Sequence, residues 1–219
     1  MEIIKNYINK SFKTTNKKKI IHKNKLQIYS FVHNILYHYH KKNDFNIFLT
    51  GGNSIKEFYK YLNSKKFIFK SKKIFLTDER ITKSYGNTNE QNIKKYFPKN
   101  SYENFFYKKK FFDQNKIKAL NKLCIKNYII LCSLGNDGHI ASIFKNIGSS
   151  NNYVYTKSKL HSLNRITITE KIFKKSQLTI LFALGEQKAK KLKYLLKKKR
   201  LLNEPVNVLR NFIVFSDHY

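Results

Sequence analysis

The chain reads as an α/β domain with a mostly parallel, Rossmann-like central sheet flanked by helices. Three observations predict it. Five apolar runs of strand length are continuous rather than alternating, the pattern of strands buried on both faces. Segments with helical periodicity separate most of them, the order expected of a wound parallel sheet. The residues rarest in this composition gather in the loops after the runs, where ligands of such sheets sit.

Taken in order, a helix over 24–40 precedes the first strand, "NIFLT" at 46–50. A helix over 54–63 leads to "KIFLT" at 73–77, and helices over 88–97 and 114–124 lead to "YIILCSL" at 128–134. "LTILFAL" (178–184), a helix over 186–199 and "FIVFS" (212–216) complete the pattern. "RITIT" (165–169) adds a short strand, and 145–164 reads as a loop excursion. With no repeat and no Pro/Gly/Ser linker, residues 1–219 are expected to form one domain, long enough to bury roughly 70% of its unfolded surface.

Composition excludes several classes. A hydrophobic content of 41%, with 15% aromatics, argues against a disordered chain. No apolar run reaches the roughly 18 residues that span a bilayer, and the first residues lack the apolar core of a signal peptide, so a cytoplasmic, membrane-free protein is expected. Cys124 and Cys132 have no second pair to complete a metal site and are expected to be buried thiols. His33, His38 and His40 fall on one amphipathic helix, where histidines near the C-terminus favour the dipole without a metal.

The net charge of +32 invites a nucleic-acid reading. Yet only four of 45 basic residues are arginine, and the excess of Lys, Asn, Ile, Phe and Tyr is what AT-rich codons produce. The runs "NKKKI", "YKKKFF" and "LLKKKRLL" are spread along the chain instead of forming one stripe. A basic nucleic-acid-binding module therefore stands only as an alternative. Under such drift, clustered Gly, Asp and Arg carry information.

Four loops hold those clusters. After the first strand, "TGGNS" offers the backbone amides of Gly51, Gly52 and Asn53 at a helix start, which suits an anion. After the second, "TDER" places Asp78 and Arg80 at a strand end. After the third, "LGNDGHIASIF" puts Asp137, Gly138 and His139 at the rim, a general base with a carboxylate two residues away, with Ala141–Phe144 starting a helix. After the fourth, "LGEQKAKK" brings Lys188 into the first turn of a helix.

These strings, with "RITIT", "NTNEQN" and "EPVNVLR", resemble in order and spacing the 6-phosphogluconolactonases, within the wider glucosamine-6-phosphate isomerase and deaminase superfamily. The resemblance covers roughly residues 25–219 and rests most on D-G-H-x-A-S-hydrophobic-F joined to D-E-R. It implies hydrolysis of 6-phospho-D-glucono-1,5-lactone in the oxidative pentose phosphate pathway, without metal or cofactor; a monomer is expected. His139 matches the catalytic histidine, Asp137 would orient it, and Asp78 would line the site. Arg80, Arg165 and Lys188 match positions used for phosphate, and amides near Gly51, Gly52 and Gly138 would hold phosphate or an oxyanion. An aminosugar-phosphate isomerase or deaminase is the other alternative; its pattern has a glutamate soon after the histidine, whereas here no acid follows before Glu170. One glycine of the family's L-G-x-G-x-D is missing before Asp137.

Overall fold

Parallel strands cannot be joined by tight turns, so each continuous apolar run must hand over to a covering segment before the next. In a computed structural model of the protein, residues 20–40, 45–68, 71, 73–82, 86, 88–96, 114–158, 161–197, 209 and 211–218 are described, and they follow that rule. The six-stranded sheet contains β1 (Ile20–His22), β2 (Asn46–Leu49), β3 (Ile74–Leu76), β5 (Tyr128–Ser133), β8 (Leu178–Phe182) and β9 (Phe212–Ser216). Its order is β1-β9-β8-β5-β2-β3, and every pairing is parallel. From β2 the chain first winds outward to β3 and then returns to the other flank with β5. That reversal between β2 and β5 is a topological switch point.

Helix α1 (Lys25–His40) begins where the Asn24 side chain accepts the Gln27 amide at 3.0 Å, satisfying one of the helix's unpaired N–H groups. Ile28, Val32, Ile35 and Leu36 form its buried stripe. With α2 (Lys56–Ser64) and α3 (Asn89–Tyr96) it covers one face of the sheet, over Ile47, Leu49, Ile129, Leu131, Ile180 and Phe182. The other face, carrying Phe48, Ile130, Cys132, Leu181 and Val214, packs against α4 (Gln114–Lys122), α5 (Glu170–Lys175) and α6 (Glu186–Lys197). Each fully buried Leu, Ile or Phe contributes roughly 1.5–3 kcal/mol. His33 sits edge-on to Phe67 and Tyr61, a packing contact.

Four expectations are corrected. The segment 145–164 is not merely a loop, because Tyr153–Ser158 forms β6 and His161–Ile168 forms β7, antiparallel neighbours. "DER" is not a loop either: Asp78–Arg80 is β4, which completes the three-stranded sheet β4-β7-β6. These strands are mixed in polarity, so no continuous apolar run announces them. Ala141–Phe144 forms turns rather than a helix start, with Ala141 at φ 54°. Cys132 is buried as expected, its thiol pushed up by burial, but Cys124 lies past the end of α4 and is exposed. Strand β1 went unread because it holds only three residues beside a basic run. The segment 204–210, apart from Leu209, and most of the basic runs lie outside the described residues.

Thr77, the single residue between β3 and β4, belongs to both sheets. Its N–H donates to Leu49 in the large sheet at 2.9 Å, and its carbonyl accepts from Ile168 in the small one at 2.8 Å. Among the described residues no helix is long and apolar enough to cross a membrane.

Candidate active site

A pocket of about 480 Å³ opens at the carboxyl ends of β2 and β5, where the small sheet meets the large one. Two of the loops singled out in the sequence, strands β4 and β7, and helices α3 and α6 supply its wall. Asp78, Arg80, Asp137, His139, Arg165 and Lys188, the charged residues expected at the site, all reach it, as do Gly52 and Asn53.

The loop after β5 is shaped by its own turn. Gly138 adopts φ 98°, and its N–H donates to the Gly135 carbonyl at 3.1 Å, so that amide is already engaged within the turn. Gly135 in turn donates to the His139 carbonyl at 2.8 Å. The fold closes Asp137 onto His139, with Oδ1 2.5 Å from Nδ1. A methyl at Gly135 would meet His139 Nδ1 at 2.3 Å and Asp137 Oδ1 at 2.7 Å. The glycine retained in this loop is thus the one that makes room for the pair. Burial opposes charge on Asp137, but the hydrogen bonds and charge of His139 outweigh it and pull the carboxyl down to about 2. The carboxylate therefore orients the ring through Nδ1, and proton exchange with a bound molecule falls to Nε2.

The small sheet contributes the charge. In the β4–β7 register, Asp78 lies opposite Thr167 and Arg80 opposite Arg165, so two guanidinium groups start from adjacent backbone positions. Asp78 is 4% exposed and held from both sides: Oδ1 accepts from Thr77 Oγ1 at 2.9 Å and Oδ2 from Ser142 Oγ at 2.6 Å. Arg165 lies 3.9 Å from Oδ2, and burial lowers its pKa while Asp78 offsets part of that cost. From helix α6, Lys188 Nζ donates to Ser54 Oγ, and desolvation lowers its pKa to about 8. Asn136 donates to Gln187 at 2.8 Å, joining the histidine loop to the start of α6.

Gly51 does not line the pocket. It lies against α3, where an added Cβ would meet the Asn89 backbone at 2.3 Å, and the Asn92 side chain donates to its carbonyl at 3.1 Å. Sequence reasoning passed over Thr50, Ser54, Asn89 and Ser133, which also face the pocket. Asn89 and Ser54 stood inside strings already quoted, and only folding distinguishes them from neighbouring polar residues. Among the described residues no group of histidine, cysteine and acid side chains is arranged to hold a metal ion.

Solved structures share this architecture. A 6-phosphogluconolactonase from Thermotoga maritima superposes with a TM-score of 0.74 at 21% identity, over 93% of this chain and 100% of that one. One from Plasmodium vivax gives 0.77 at 20% identity, over 97% and 96%. The Trypanosoma brucei enzyme, described with its catalytic mechanism, gives 0.71 at 16%, over 93% and 97%. No curated protein matches the chain in sequence. The family described as glucosamine-6-phosphate isomerases/6-phosphogluconolactonase matches residues 27–213, and with that span the chain belongs to this family.

Proposed function

We propose that the protein hydrolyses 6-phospho-D-glucono-1,5-lactone to 6-phospho-D-gluconate, in the oxidative pentose phosphate pathway. One observation carries the reading: a carboxylate-oriented histidine shares a single pocket with two arginines and a partly desolvated lysine. The cations suit a phosphate, arginine by its fixed fork and Lys188 as a point charge.

In the proposed reaction, His139 Nε2 takes a proton from water as the oxygen adds to the lactone carbonyl carbon and the carbonyl π pair moves onto oxygen. Collapse of that tetrahedral intermediate re-forms the carbonyl and breaks the bond to the ring oxygen, which receives the proton back from His139. The new carboxylic acid then ionises to solvent. Asp137 stabilises the imidazolium throughout. Gly52 and Asn53 remain candidates for contact with the phosphate, whereas the engaged Gly138 amide and the recessed Gly51 are supporting residues.

The isomerase or deaminase alternative needs a further acid for ring opening and proton transfer. The pocket's only described acids are Asp137, committed to His139, and Asp78, held by Thr77 and Ser142. Where the deaminase pattern continues with an aromatic, Asn, Glu and Pro, this chain has Ala141, Ser142, Ile143 and Phe144, and no acid follows before Glu170. The same reading takes the protein as a cytoplasmic monomer without a nucleic-acid partner, checked by gel filtration and by retention on nucleic acid at rising salt.

Freshly prepared lactone, with purified protein and with His139→Ala, tests the activity after correction for spontaneous opening. Loss of the base should slow turnover by roughly 10²- to 10⁴-fold. Wild-type hydrolysis at the spontaneous rate would sink the proposal.

A further inference from the structure

Along β4, Asp78 and Arg80 face the pocket while Glu79 points to the other side, as strand alternation requires. Glu79 is 3% exposed and serves as acceptor for three backbone amides. Oε1 accepts from Arg80 at 2.6 Å and from Asn89 at 2.6 Å, and Oε2 accepts from Glu90 at 2.8 Å. Two of these donors, Arg80 and Asn89, line the pocket, so one carboxylate oxygen ties together two wall residues that the chain separates. Asn89 is fastened further through Nδ2, which donates to the Asp78 carbonyl at 2.9 Å.

We propose that Glu79 is a positioning residue for ligand binding, holding Arg80 and Asn89 at the pocket wall through their backbone amides. The proposal rests on the phosphosugar reading of the pocket. A buried carboxylate is costly to desolvate, and burial raises this one to about 7 even though three amides and their hydrogen bonds pull the other way. Leucine or methionine of similar volume would fill the space at no such cost, which points away from a packing role. What the carboxylate alone supplies is two acceptor oxygens at fixed spacing. Neighbouring charges do not replace it: Arg165 engages Asp78 at 3.9 Å, and Glu90 pairs with Lys94 at 2.5 Å.

The three substitutions Glu79→Ala, Glu79→Asp and Glu79→Gln separate the possibilities. Alanine removes both oxygens, aspartate retracts them by one methylene, and glutamine keeps Oε1 for Arg80 and Asn89. Calorimetric binding of 6-phosphogluconate to the full chain should weaken about tenfold for the alanine and aspartate variants, with kcat within about twofold, while glutamine stays within about threefold of wild type. Loss confined to the fraction of folded protein, with unchanged affinity per folded molecule, would reduce Glu79 to a structural residue and overturn the proposal. So would a glutamine variant as weak as alanine. If alanine does not fold, aspartate carries the same test. A wild type that fails to bind 6-phosphogluconate condemns the substrate reading instead; amide exchange at Asn89 then decides the grip, faster in the aspartate variant than in wild type or glutamine if it exists, and equal in all three if it does not.

Discussion

The two sheets divide the work of the pocket differently. Among the described residues, the six-stranded parallel sheet lends the pocket only Ser133 from within its strands; it delivers loops, and the Asp137–His139 pair lies beyond the end of β5. The three-stranded antiparallel sheet contributes from within its strands, with Asp78, Arg80 and Arg165 all in ladder positions. A parallel sheet covered on both faces has only its strand ends for polar function. A small antiparallel sheet beside it can offer one whole face. On the proposed reading, the proton-transfer group is held by a turn and the two arginines by a ladder, with Lys188 added from helix α6.

That division implies separable kinetics. Gly135→Ala should have the largest effect, because the added methyl collides with both members of the His139–Asp137 pair; a fall in kcat of about 10²-fold or more, with KM little changed, is expected. Arg165→Ala should instead act on binding, raising KM by the equivalent of about 1.5–3 kcal/mol for a lost charged hydrogen bond, while kcat holds. Equal effects of both variants on kcat would erase the distinction between turn and ladder.

Lys188 provides a smaller and reversible perturbation. Its pKa is depressed from 10.5 to about 8, so the cation is lost as pH rises through about 8 instead of persisting as a solvated lysine would. Affinity for 6-phosphogluconate should fall by up to about tenfold between roughly pH 7 and 9, and Lys188→Arg, whose charge does not titrate there, should flatten the profile. A wild-type profile as flat as that of the variant would remove Lys188 from the anion site. The smallest effect belongs far from both sheets' pocket faces: Cys124→Ser should shift stability by no more than about 0.5 kcal/mol, and a thiol reagent should label the native chain at Cys124 but not Cys132.

The same contrast explains what could be read from the sequence. The strands of the large sheet, β1 aside, were legible, because burial on both faces demands unbroken runs such as Tyr128–Ser133. The antiparallel sheet was legible only at "RITIT", since Tyr153–Ser158 alternates polar and apolar residues weakly and Asp78–Arg80 has no apolar residue at all. Asp78, Arg80 and Asp137 could be found, because drift towards lysine and asparagine left Asp and Arg conspicuous, whereas Arg165 and Lys188 stood out only through the family resemblance. Their neighbours could not: nothing local shows that Asn89, one of many asparagines, comes to rest beside Asp78, or that Ser142 closes over the same carboxylate. Those contacts are made across the fold, by Glu79 and by the one-residue step at Thr77.

The space around Gly135 also bears on how such a chain changes over generations. Where codons drift away from guanine and cytosine, glycine is steadily lost, and only seven remain in 219 residues. On the proposed reading, a position at which even a methyl group would strike His139 resists that drift. Gly52 and Gly86 have open space at the Cβ position and no such protection. In lineages of this composition, Gly135 should therefore be among the last glycines to yield, and its codon among the last islands of guanine in the gene.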